Sequence, residues 1–83
     1  VAERVCFEAY PDEIIALIDS LLDTGRGDLA EKATDAVLLA QARGSYRLGC
    51  LELTRHGEET VCVSNAGGCG DVLEELRQRL GGL

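Results

Sequence analysis

Eighty-three residues suffice for one domain with a small core and not for two. Eight Lys and Arg against fifteen Asp and Glu leave a formal charge of −7, which excludes a phosphate-backbone binder and a polybasic membrane anchor. A 46% hydrophobic content with regular apolar spacing excludes a disordered acidic tail, and no apolar run is long enough to span a bilayer.

In chain order, Val5-Cys6-Phe7-Glu8-Ala9 alternates as a short first strand, with Val5 and Phe7 on one face and Cys6 and Glu8 on the other. Pro11 then suits a first helical position, and Asp12 and Glu13 complement the positive end of the helix dipole. Ile14, Leu17, Ile18, Leu21 and Leu22 form an apolar stripe opposite Asp12, Ala16, Asp19 and Asp23, and Gly25 stops the helix. Asp28-Leu29-Ala30-Glu31 has the spacing of a capping box for a second helix. Its buried face is Leu29, Ala33, Val37 and Ala40, and Gly44 ends it. Tyr46–Thr54 and Glu59–Ser64 read as the two strands of a hairpin around Arg55-His56-Gly57-Glu58. Asn65-Ala66-Gly67-Gly68-Cys69-Gly70 reads as a turn. Asp71 and Glu74 repeat the capping-box spacing for a last helix with Val72, Leu73, Leu76 and Leu80 inward, a Glu75–Arg79 pair outward, and Gly81-Gly82 as its stop.

The order β-α-α-β-β-α predicts an α+β two-layer sandwich: a three-stranded, mainly antiparallel sheet with three helices on one face. A right-handed crossover places the first two strands parallel with the third between them, a ferredoxin-like arrangement lacking its last strand. Residues 1–83 form a single domain on this reading.

Cys6, Cys50, Cys62 and Cys69 are an even set in a small chain, the pattern of a disulfide-stapled domain from an oxidising compartment. Reduced buried thiols and a metal site are the rivals, but a C-x2-C ligand spacing is absent and the one histidine, His56, sits in an apparent turn. Of the three pairings, Cys6–Cys69 with Cys50–Cys62 ranks first, because Cys50 and Cys62 can face each other across the hairpin. Cys6–Cys62 with Cys50–Cys69 ranks second.

Cys69 lies just before a helix start, where a free thiolate would be stabilised, so it is the one candidate nucleophile or redox sensor. Without a second histidine or a C-x-x-C, a disulfide anchor is the plainer assignment. His56 would titrate usefully only if Glu58 or Glu59 held its proton; otherwise it is a solvated turn residue. Asp12, Glu13, Asp19, Asp23, Asp28, Glu31 and Asp35 crowd the leading helices, either as ordinary solubility or as a face for a cationic partner. Asp12, Glu13, Asp19, Asp23, Glu31 and Asp35 are the candidate partner face. Ile15, Leu38 and Leu39 do not fit one buried stripe, and either widen the core or expose an apolar strip for a second copy or another chain.

The segment Gly44-Ser45-Tyr46…Cys50…Val61-Cys62-Val63-Ser64-Asn65…Gly68-Cys69-Gly70-Asp71…Leu73…Leu76 resembles small secreted fungal proteins of the virally encoded killer-toxin type, and the effector-like proteins that share their fold. In these a G-x-Y strand and a Cys-bearing strand lead through V-x-V-x-N to a turn, where a Cys opens an amphipathic helix. The resemblance covers residues 44–80 best, and the earlier part only through a Cys-bearing strand followed by a helix. Members often carry a cysteine after the last helix; this chain reads Leu80-Gly81-Gly82-Leu83 there and has Cys62 inside its third strand. The resemblance implies a secreted, disulfide-stapled α/β sandwich acting on a protein or cell-surface target, with a second toxin chain or a second copy as further partners. It has no catalytic residue to transfer, and the residues themselves call for no cofactor or metal. The alternative is an intracellular interaction module or small dimerising regulator with reduced cysteines.

Overall fold

The computed structural model describes residues 4–81. The α+β class is as expected, with four strands and four helices among the described residues where three of each were predicted. The elements are β1 (Arg4–Glu8), α1 (Pro11–Asp23), α2 (Gly27–Ala30), α3 (Ala33–Arg43), β2 (Ser45–Leu48), β3 (Leu51–Arg55), β4 (Thr60–Asn65) and α4 (Gly70–Gly81). They build one antiparallel sheet of order β1-β4-β3-β2. Since β1 and β3 both run against β4, they are parallel to each other with β4 between them, as the crossover argument requires.

The extra strand comes from the segment read as Tyr46–Thr54, which folds back at Gly49-Cys50 and pairs Leu48 with Leu51. Gly49 has φ +58° while no non-glycine residue among the described ones has positive φ, as in a two-residue hairpin with glycine first. A Cβ on Gly49 would also lie 2.8 Å from both methyl carbons of Leu29, so that side chain would have to shift to admit it. The second helix is likewise two, broken at Glu31-Lys32. The break lets α3 lay Ala33, Ala36, Val37 and Ala40, all fully buried, against the sheet. Alanines bring that helix close, and Gly44 ends it in the left-handed conformation with its N–H on the Ala40 carbonyl.

Neither predicted capping box forms. Asp28 lies inside α2, which starts at Gly27 without a side-chain cap, and Asp71 lies inside α4. The face of α1 is also rotated from the expected one. Ala16 and Ser20 are buried and Leu22 is out, because α1 packs across α4 as well as α3. Small side chains permit that approach, and the Ser20 hydroxyl is satisfied by donating to the Ala16 carbonyl at 2.8 Å.

Val5 and Phe7 of β1, Leu51 and Leu53 of β3, and Val61 and Val63 of β4 form the sheet side of the core. Leu17, Leu21, Val37, Val72, Leu73 and Leu76 close it from the helices. Burial of each such aliphatic side chain contributes about 1.5–3 kcal/mol. The opposite sheet face is polar, with Arg4, Glu8, Arg47 and Glu52 exposed. Gly81 is the last residue of α4; Gly82, the other half of the predicted stop, lies outside the described residues.

Candidate functional site

All four cysteines are paired, in the arrangement ranked second: Cys6–Cys62 and Cys50–Cys69. The first-ranked pairing fails because the Gly49-Cys50 turn moves Cys50 out of the ladder. Thr54, not Cys50, faces Cys62. Cys6 instead lies directly opposite Cys62 in the β1–β4 ladder, with Cα atoms 3.9 Å apart, on the polar face of the sheet. Cys50, at the tip of the β2–β3 turn, reaches Cys69 at the head of α4 with a Cα separation of 5.7 Å.

The segment leading into α4 is held by side chains rather than by a ladder. Asn65 Oδ1 accepts the N–H groups of Gly67 and Cys69, both at 2.9 Å, an Asx turn that the Asn-x-Gly spacing could have announced. Arg26, between α1 and α2, donates to the Gly68 carbonyl at 3.1 Å and to Asp71 Oδ2 at 3.0 Å. That guanidinium holds the Asp71 carboxyl below the ordinary carboxylate range, chiefly through the hydrogen bond. Cys69, fully buried and disulfide-bonded, offers no thiolate at the helix start. Of the two readings of Cys69, the disulfide anchor is the one the structure shows.

His56 is exposed on the β3–β4 loop, its Nε2 lying 3.4 Å from Arg4 Nη1. Glu59, one of the carboxylates expected beside it, accepts the Tyr10 hydroxyl at 2.9 Å. That bond and the carboxylate's charge raise the Tyr10 phenol above its ordinary value.

The acidic residues of the candidate partner face are dispersed over the helical layer. Asp12, Asp19 and Asp23 share one flank of α1 by helical spacing. Glu13 turns to the edge of the sheet, where its Oε1 accepts the Glu8 N–H at 3.0 Å. Glu31 follows α2, and Asp35 stands in the first turn of α3. Arg79 of α4, expected only to pair with Glu75, meets that carboxylate at 3.5 Å and also Asp19 at 4.0 Å and Asp23. The sequence carries no signal for these contacts, which arise from α1 crossing α4. Leu38 is exposed beside Leu39, which is half-buried, so α3 keeps a large apolar side chain in solvent.

Two depressions flank α1. One, of about 540 Å³, is lined by Cys6, Asp12, Glu13 and Leu80; the other, of about 250 Å³, by Asp12, Ile15, Ala16, Asp19 and Arg79. Among the described residues, no group of three or more His, Cys, Asp or Glu is placed to hold a metal ion, and no helix is long and apolar enough to cross a membrane. Two disulfides fit an oxidising environment, where such bonds form and persist. Compared with protein families, curated proteins and solved structures, the chain matches none.

Proposed function

We propose that this chain is a secreted, disulfide-stapled protein of the killer-toxin or effector type, acting by binding a protein or cell-surface target rather than by catalysis. The observation that carries the reading is the distribution of its staples. One joins the edge strand to the sheet and the other joins a turn to the head of α4, so together they brace both ends of a small aliphatic core. Such bracing suits a molecule that must stay folded outside cells, where its thin core alone gives a narrow margin. The resemblance of residues 44–80 to killer-toxin-like proteins supplies the functional class. Asn65, Arg26 and Tyr10 have structural roles: Asn65 accepts the Cys69 N–H, Arg26 pairs with Asp71, and Tyr10 donates to Glu59.

The test presents the purified oxidised protein to intact fungal and plant cells, with a reduced and alkylated sample beside it. Saturable surface binding and an effect on growth or viability by the oxidised form alone are expected. Absence of binding to either cell type, or equal effects from both samples, overturns the reading.

A further inference from the structure

Helix α1 carries an apolar row on the side that the core does not use. Ile15 and Leu22 are 51% and 53% exposed. Seven residues apart on one helix, they fall on one line about 10 Å long, with half-buried Ile18 between them. Single exposed aliphatic residues are ordinary, but an aligned pair beside a depression presents a contact surface. Parallel to this row runs the carboxylate row of Asp12, Asp19 and Asp23. Ile15 of the apolar row and Asp12 and Asp19 of the carboxylate row line one depression, together with Ala16 and Arg79.

Charge selects the occupant. Arg79 is the one cation among the described residues that line this depression, and it is shared by Asp19, Asp23 and Glu75. Three carboxylates on one guanidinium leave two negative charges uncompensated, and Asp12, in none of the ion pairs among the described residues, adds a third. A second copy docked here about a two-fold axis would bring the same carboxylates against each other. A cationic partner relieves that excess.

We propose that this face of α1 docks an amphipathic basic helix of a protein partner. Its apolar side chains would pack along Ile15, Ile18 and Leu22, and its Lys or Arg side chains would meet Asp12, Asp19 and Asp23. Apolar anchors two turns apart are the spacing by which one helix grips another. The proposal rests on the reading of this chain as a binding protein and gives that reading a surface and a partner chemistry.

The test uses protein shown by intact mass to hold both disulfides, so failure of this proposal is separable from failure of the stapled, secreted reading. The probe is a synthetic Leu/Lys peptide that folds as an amphipathic helix, with a scrambled peptide of the same composition as control. Calorimetry should show tighter binding of the helical peptide, and amide shifts should map to α1 around Ile15 and Leu22. The I15S/L22S variant should weaken binding about tenfold or more, whereas E52Q, on the opposite sheet face, should leave it unchanged. Equal affinity for both peptides, an unaltered affinity in I15S/L22S, or no binding at all overturns the proposal. A wild-type dimer that I15S/L22S dissociates overturns it in favour of self-association.

Discussion

The two disulfides hold regions of very different construction. Cys6–Cys62 lies within a regular ladder, where β1 is already fixed to β4 by five register pairs and by the burial of Val5 and Phe7. Cys50–Cys69 joins a hairpin turn to a glycine-rich segment with no ladder, ordered by the Asn65 side chain, by Arg26 and by one backbone bond, the Ala66 N–H donating to the Cys50 carbonyl at 2.8 Å. The first bond therefore acts mainly on the unfolded chain, by closing a long loop. The second also fixes local structure, together with the Ala66 N–H bond to the Cys50 carbonyl and the Asn65 side-chain bonds, along the path from Asn65 to Gly70. A staple's importance to stability and its importance to shape are separate quantities in this molecule.

The largest expected effect comes from the ladder. Removing the Cys6–Cys62 bond as C6A/C62A frees a loop with a sequence separation of 56, which costs about 4 kcal/mol by chain entropy. Chemical unfolding should show that loss while hydrogen exchange keeps the β1–β4 register protected. The C50A/C69A pair frees a separation of 19 and costs about 3 kcal/mol, with accelerated exchange concentrated in residues 65–70. If the ladder deletion loosened β1 while the turn deletion left 65–70 protected, the contrast would be reversed.

The contrast also shows where the sequence was readable. Val5/Phe7 and Val61/Val63 alternate strictly, so their strands and their shared face could be assigned directly. The β2–β3 turn was hidden within a plausible nine-residue strand, although its signal was present. Tyr46 and Leu48 are core-facing at even positions and Leu51 and Leu53 at odd ones, so the alternation changes phase at Gly49-Cys50. That missed phase change misplaced Cys50 and reversed the order of the two disulfide pairings. The Arg79 contacts with Asp19 and Asp23, and the outward turn of Leu22, depend on how α1 crosses α4, which no local pattern encodes. The even cysteine set was legible as a staple; which cysteines pair became visible only once the β2–β3 turn was in place.

Smaller changes sharpen the same comparison. N65A removes the acceptor for the Gly67 and Cys69 N–H groups and should cost about 1–2 kcal/mol, because both lose their partner in the segment that lacks a ladder. In a double-mutant cycle it should couple to loss of Cys50–Cys69 and add independently to loss of Cys6–Cys62. The smallest effect is the pH dependence of the Arg26–Asp71 pair, which is largely solvent-exposed on the Asp71 side. Its carboxyl is depressed in the folded protein, so its contribution is present above the ordinary carboxylate value and fades as pH falls through the lowered one. D71N should flatten that acid limb of the stability profile slightly and leave neutral pH changed by under about 1 kcal/mol.

The most direct test of a stapled, oxidised scaffold is disulfide mapping by mass spectrometry on an unreduced digest of material from the native source. The account predicts two linked peptides, one holding Cys6 with Cys62 and one holding Cys50 with Cys69. Four free thiols, or a peptide linking Cys6 to Cys69, would contradict it.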